Sequence, residues 1–283
     1  MGKKISVIIV SYMNLNIIKD CLSSIYKFND IGNELEVIIV DNSPENTIIN
    51  YVKKEWESVI VVKNENNGFG EANNVGARIA RGNVILFLNP DTILVEPLFS
   101  FALEKFDESR EVALFGLKLI DKKFKRNMSY YLIDSAGFVP SQINKICNKL
   151  DIFIDGKMFI SGANIFILKD IFFEIGMFDE EIFMYYEESD LIKRLRNKGY
   201  KTAYFKEKRI IHLEGKSSNN NFNALERRMN SLKYYCMKYD QNFSEYLEKE
   251  INYLRLKTVV YNLFRNDVRN LKKSIKILES YNK

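Results

Sequence analysis

Cysteine is scarce in this chain of 283 residues: Cys21, Cys147 and Cys236 are far apart and odd in number. They make neither a disulfide framework nor a metal-ligand spacing, and they fit a reducing cytoplasm. No apolar run reaches the ~18 residues that a membrane helix requires. The opening MGKKISVIIVSY has two lysines and a short apolar run, the pattern with which a signal peptide begins. Polar Ser11, Tyr12 and Asn14 follow at once without a small-residue cleavage site, so the stretch reads as a first strand. Two nucleotide motifs are missing as well. No G-x-G-x-x-G follows the first strand, which argues against a dinucleotide-binding dehydrogenase, and no G-x-x-x-x-G-K-[ST] loop exists, which argues against a P-loop enzyme. The chain also has no helix-turn-helix and no aromatic-basic RNA motif, so nucleic acid is not expected as a partner.

What is present describes one large α/β domain with an appendage. Hydrophobic residues make up 46% and charged residues 28%, enough for an ample core. The net charge is +5, and its basic excess lies in the last quarter, where 14 Lys and Arg face 7 Asp and Glu from Lys216 onward. Such an excess suits nucleic acid, an anionic membrane surface or solubility alone.

Continuous apolar runs at residues 5–10, 35–40, 59–62 and 84–88 read as strands covered on both faces. Helical spacing at 16–28, a short helix through 48–52, and a helix at 70–81 ended by Gly82 alternate with them. That alternation predicts a mostly parallel sheet with right-handed crossovers. A helix at 97–106 and a strand at 112–119 continue the pattern. Residues 121–151 read as an irregular polar-aromatic segment, suited to a substrate loop or a plain surface loop. A kinked strand or strand pair at 159–168, a short helix at 169–175, and short strands at 203–205 and 209–211 follow. From Ala224 onward three apolar stripes at helical spacing predict a helical extension.

Chemistry-bearing residues gather at strand ends. Ser11-Tyr12 closes the first strand and Asp41-Asn42 the second; Asn66-Asn67-Gly68 lies just past the third; Asn89-Pro90-Asp91 closes the fourth. Each loop alone reads as ordinary turn chemistry. Four in succession along one sheet edge, two of them acidic, point to a nucleotide site, because ligands of open α/β sheets bind at that edge. A second acidic centre, Glu187-Glu188-Ser189-Asp190, opens a helix after Tyr185 and Tyr186. Acids at a helix start are favoured by its dipole. Three in four positions repel one another, however, and suggest a raised pKa or a bound cation. His212, the only histidine, ends a strand before a Gly/Ser loop and fits either a structural role or a metal ligand.

These stations resemble the family-2 glycosyltransferases of the GT-A fold, closest to a bacterial rhamnosyltransferase-like branch. The matching stretches are VIIVSYMNLNIIKDCLSSI, EVIIVDNSPEN, NENNGFGEANNVGARIARGNVILFLNPDT, ISGANIFILKDIFFEIGMFDEEIFMYYEESDLIKRLRNKGYK and IIHLEGKSS. The resemblance implies a GT-A domain over 1–218, with a nucleotide-sugar half to about 118 and an acceptor half after it, and a basic helical extension over 219–283. It implies that Ser11, Tyr12, Asp41, Asn66, Gly68, Asn74 and Asn89 line the donor site, with Ser217 at phosphate. Asp91 and His212 would hold Mn²⁺ or Mg²⁺. Glu188 falls at the general-base position, with Glu187 and Asp190 as residues that share the task. Two departures stand out: the family usually has Asp where Glu188 is, and Met13 stands where Asn usually follows Ser-Tyr.

The implied activity is inverting transfer from a dTDP- or UDP-sugar, with dTDP-rhamnose foremost. The acceptor would be a saccharide or lipid-linked saccharide of a bacterial surface polysaccharide. Work would take place in the cytoplasm, with peripheral contact to the anionic inner membrane face through the basic C-terminal helices. Two other classes stay open. A sugar nucleotidyltransferase usually begins with a Gly-rich basic loop, which SYMNLN is not, and a non-catalytic saccharide-binding relative has no need of Asp91, Glu188 and His212. A processive polymerase is disfavoured, since there is no QxxRW motif.

Overall fold

Residues 5–11 are apolar at nearly every position because both faces of this strand are covered. Ile5, Val7 and Ile9 join the core on one side of the sheet, and Ile8 joins the core on the other. The computed structural model describes residues 2, 4–109, 111–213, 221–264 and 267–281. Its elements run β1 (Ile5–Ser11), α1 (Leu15–Lys27), β2 (Leu35–Asp41), α2 (Thr47–Glu55), β3 (Ile60–Lys63), α3 (Phe69–Ile79), β4 (Val84–Leu88), β5 (Thr92–Leu94), α4 (Phe99–Glu108) and β6 (Val112–Ile120). They continue with β7 (Tyr130–Leu132), α5 (Phe138–Leu150), β8 (Met158–Ile160), β9 (Asn164–Leu168), α6 (Lys169–Glu174), α7 (Glu187–Asn197), β10 (Lys201–His212), α8 (Asn221–Lys238), α9 (Phe243–Leu263) and α10 (Arg269–Ser280).

The main sheet has eight strands in the order β3-β2-β1-β4-β9-β6-β10-β5. Only β9 and β5 run against the other six, so the sheet is mostly parallel, as expected. Consequently the carboxyl ends of β1, β2, β3, β4 and β10 share one edge. α1 and α4 cover one face through Ile18, Leu22, Ile25, Phe99 and Ala102. α3, α6 and α7 cover the other through Ala72, Ala77, Phe172, Leu191 and Leu195. α8, α9 and α10 pack on one another around Met229, Leu232, Leu247, Ile251 and Leu278.

Three local expectations are corrected. α3 ends at Ile79 rather than at Gly82, because Ala80 is already extended at φ −65° and ψ 137°. The two short strands at 203–205 and 209–211 are one strand, β10, with a register shift between Phe205 and Arg209 where its charged residues bulge. Residues 121–151 are not irregular throughout. They contain β7 and the thirteen-residue helix α5. That helix buries Asn144, Cys147 and Asn148, so its apolar spacing does not mark the core-facing side.

Candidate active site

The first strand end is a network of short polar bonds. Ser11 pairs with Asp41 in the β1–β2 register, and the Ser11 hydroxyl donates to Asn14 Oδ1 at 2.9 Å. Asp41 is fully buried; its Oδ1 accepts from the Ser43 amide at 3.1 Å, while its Oδ2 has no partner. A buried carboxylate oxygen left without a donor is costly unless a ligand completes it. Asn42 bridges outward: its Oδ1 accepts from Asn64 Nδ2 at 3.1 Å, and its amide reaches Asn66 Oδ1 at 3.5 Å. Tyr12 stands 45% exposed above this network. Met13 adopts φ 51°, and its amide donates to Ser43 Oγ at 2.8 Å, so the residue that departs from the family pattern is tied into the same loop.

At the end of β4, Asp91 is 2% exposed and its Oδ1 lies 3.3 Å from His212 Nε2. The chain places them together because β5 pairs antiparallel with β10, with Thr92 opposite His212, and the Leu213 amide donates to the Asp91 carbonyl at 2.9 Å. Two further buried atoms here have no partner, His212 Nδ1 and Asn89 Oδ1. The 3.3 Å gap is the span of neighbouring ligands on one ion, each ~2.1 Å from it. No cluster of three or more His, Cys, Asp or Glu able to hold a metal occurs among the described residues. The donor set therefore fits a hard divalent cation that takes its remaining oxygens from phosphate and water.

Glu188 stands next to this corner by way of one loop. The Asn89 amide donates to the Ala163 carbonyl at 3.1 Å, and the adjacent Gly162 amide donates to Glu188 Oε1 at 2.9 Å. A Cβ at Gly162 would meet the Glu188 carboxylate, so any larger residue there displaces that side chain. Burial raises the Glu188 carboxyl above its ordinary range, opposed by the bonds it accepts from backbone amides. Glu187 is 4% exposed, and its Oε2 has no partner. Burial first and then the neighbouring Glu188 charge push its carboxyl well up.

Glu188 also lines a cavity of about 620 Å³. Tyr131, Phe159, Tyr185, Tyr186, Tyr246 and Tyr253 give it aromatic walls, and Asp134, Arg228 and Glu250 supply charge. Tyr185 and Tyr186 hold φ of 70° and 71° just before α7, a strained pair of the kind that persists at functional sites. Arg228, Tyr246, Glu250 and Tyr253 come from α8 and α9, where the sequence suggested only a packed or membrane-facing extension. No local motif announces them, because the fold alone brings residues 131 to 253 together.

Two expected site residues are committed elsewhere. Asn74 is fully buried and clamps the turn before α7: its Nδ2 donates to the Phe178 carbonyl at 2.9 Å, and its Oδ1 accepts from the Phe178 amide at 3.0 Å. Its polar atoms are occupied by that turn rather than presented to a donor. Asp190 is likewise fully buried, bound by Arg194 Nε at 2.8 Å, Tyr239 OH at 2.7 Å and Lys238. It does not line the cavity beside Glu188. Gly68, at φ +136°, caps α3 where a Cβ would meet the Phe183 carbonyl oxygen at 2.7 Å, so it lets the donor-side loop pass the segment before α7. Ser217 lies outside the described residues.

Comparison with known proteins agrees with this arrangement. The chain is 25% identical over 225 residues to the rhamnosyltransferase WbbL of Escherichia coli strain K12, covering 73% of this chain and 82% of that protein. It is 33% identical over 93 residues to a poly(ribitol-phosphate) beta-glucosyltransferase of Bacillus spizizenii. That match covers 31% of this chain and 15% of the relative, so the chain spans only a small part of the longer protein. Among solved structures, a mannosyltransferase from Pyrobaculum calidifontis in complex with GDP-Man and Mn²⁺ superposes with a TM-score of 0.62 at 13% identity, over 86% of this chain and 66% of that one. S. aureus TarS superposes with a TM-score of 0.58 at 17% identity, over 89% and 43%. These likenesses establish a GT-A-type fold. The Glycosyl transferase family 2 profile matches residues 6–176, more than half of the chain, and the protein belongs to that family.

Proposed function

We propose that the chain is an inverting glycosyltransferase that moves a sugar from a dTDP- or UDP-sugar to a saccharide or lipid-linked acceptor of a bacterial surface polysaccharide. The work would be done on the cytoplasmic side of the membrane, where nucleotide sugars are held. The observation that carries this reading is the loop at 161–163, which joins the Asp91 corner to the Glu188 wall through one backbone–backbone bond and one amide–carboxylate bond. A corner with two unpartnered buried polar atoms and a carboxylate of raised pKa thus stand on either side of a single loop.

In this reading Asp41 Oδ2 accepts the N3–H of a pyrimidine, and Ser11, Tyr12 and Asn66 border the base and ribose. Asp91 and His212 hold Mn²⁺ or Mg²⁺, with Asn89 Oδ1 beside them. The cation, when bound, offsets the charge that builds on the departing diphosphate. Glu188 takes the proton of the acceptor hydroxyl as that oxygen attacks the anomeric carbon from the cavity side. Its raised pKa makes it a stronger base, and the Gly162 amide fixes the orientation of its carboxylate. The aromatic walls pack against sugar faces, an apolar payload with few polar demands. Glu187, buried beneath, keeps the local charge low while it holds its proton.

Rhamnose from dTDP-rhamnose is the favoured sugar, in keeping with the WbbL relative. A UDP-hexose is the second reading, in keeping with the glucosyltransferase relative. Asp41 alone does not separate them, because uracil and thymine present the same N3–H. A thermal-shift panel of dTDP, UDP, GDP and ADP with and without Mn²⁺ does so. A hundredfold excess over Kd stabilises the folded state by about 2.7 kcal/mol. The expected result is a metal-dependent rise with one pyrimidine diphosphate; no rise with either would overturn the donor assignment.

A further inference from the structure

We propose that Arg228 of α8 and Glu250 of α9 are specificity-determining residues, a pair that selects an uncharged saccharide unit as the acceptor and turns away a phosphate-bearing one. The proposal deepens the transferase reading and rests on it. Both side chains line the cavity that Glu188 also lines. Arg228 Nη2 lies 3.4 Å from Glu250 Oε1, and the guanidinium also bonds Tyr186. The Gly137 amide, at the start of α5, donates to the same Glu250 oxygen at 3.4 Å. Met229, Leu232, Leu247 and Ile251 pack α8 and α9 together, so the pair keeps a fixed place in the wall.

Charge decides what such a wall accepts. Arg228 is matched by Glu250, and Lys193 of α7 is matched by Asp134 at 2.7 Å. Among the described residues the lining holds three carboxylates, Asp134, Glu188 and Glu250, against two cations, Arg228 and Lys145. Lys145 is exposed on α5, where water and salt screen it. With Glu188 ionised for its work as a base, the lining is therefore negative. A phosphate entering here would meet charge of its own sign in a space where water screens it less than in bulk. A neutral sugar meets no such barrier.

Hydrogen-bond chemistry points the same way. A carboxylate only accepts and a guanidinium only donates. A sugar hydroxyl does both, so one hydroxyl donates to Glu250 while it or its neighbour accepts from Arg228. An ionised phosphate oxygen has no proton to offer Glu250, Asp134 or Glu188. The planar fork of Arg228 suits two adjacent hydroxyls on one ring. Tyr131 and Phe159, with centroids 5.5 Å apart, add apolar ring surface for the C–H face of a sugar, and Tyr246 and Tyr253 come from the same helix as Glu250. Acceptor choice is thus written in the C-terminal helices, beyond the residues 6–176 that mark the family.

The test is saturation-transfer NMR of the full chain with methyl rhamnoside, methyl glucoside and methyl N-acetylglucosaminide, set against glycerol phosphate and ribitol phosphate. Wild type should bind at least one of the methyl glycosides, and more tightly than either phosphate. Glu250→Gln keeps the shape of the side chain and frees the Arg228 charge. It should bind that glycoside about tenfold more weakly, the loss of one charge-assisted hydrogen bond, and the phosphates more tightly than wild type does. A merely structural role for Glu250 would weaken both. Arg228→Gln should lose the glycoside without gaining phosphate, and melting temperatures report whether each variant is folded. Wild type alone overturns the proposal if it prefers a phosphate to every glycoside or binds no glycoside; Glu250→Gln overturns it by matching wild type toward both classes. Binding of a nucleoside diphosphate with Mn²⁺ is measured separately on the same chain. Its absence would sink the transferase reading and leave the cavity result standing.

Discussion

Glu187 and Glu188 are neighbours with different surroundings. Glu188 reaches the cavity wall and the Gly162 amide; Glu187 is buried with one oxygen unpartnered. The carboxyl of Glu187 in the folded chain is pushed up, first by burial and then by the Glu188 charge. In the unfolded chain it loses its proton near pH ~4.3. Between that pH and the raised folded value the folded state binds more protons, so stability falls as pH rises. Glu187→Gln carries no such loss. It should therefore melt with wild type near pH 4 and above it at pH 7, by roughly 2–4 °C for each kcal/mol regained. Differential scanning calorimetry at the two pH values checks this. An equal or lower melting temperature at pH 7 would mean that Glu187 is ionised and paired in the native state.

At the scale of elements, α5 depends on asparagine rather than on apolar burial. Asn148 Oδ1 takes the Ser129 amide, and its Nδ2 donates to the Tyr130 carbonyl at 2.9 Å, closing the free edge of β7. Asn148→Ala leaves both backbone groups buried and unsatisfied, at about 1–3 kcal/mol each. A urea titration should show that loss as a lower midpoint with an unchanged slope, while an unchanged midpoint would mean that water replaces the side chain. The same inversion explains why α5 was not legible in the sequence. Its apolar spacing is helical, but KKFKRN before it and asparagines on its inner face read as loop. The strands, by contrast, were legible at 84–88 and 35–40, because burial on both faces leaves an unbroken apolar run. The corner at Asp91 was legible for the same reason, as polar residues right after such a run can only sit at a strand end. The bonds that Asn74 makes to the turn at Phe178 were not legible, since sequence cannot tell a residue facing the cleft from one facing that turn.

At the scale of the whole molecule, two halves meet at one loop. The parallel part of the sheet presents Asp41, Asn89, Asp91 and His212, and the α5, α7, α8 and α9 side encloses the aromatic cavity. Asp190 ties α7 to α8 within the second half, holding Arg194 of α7 and Lys238 and Tyr239 at the end of α8. The cavity was not legible beforehand because its lining is drawn from residues more than a hundred positions apart. The central claim is a division of labour, with donor and metal on one side of residues 161–163 and proton transfer on the other. Calorimetric titration of the preferred nucleoside diphosphate with Mn²⁺ into Asp91→Ala and Glu188→Gln tests it most directly. Glu188→Gln should bind within about twofold of wild type, although loss of a general base costs ~10²–10⁴ in turnover. Asp91→Ala should lose more than the ~10-fold that removal of even an outer metal partner costs. Equal binding by both variants, or a larger loss in Glu188→Gln, would contradict the account.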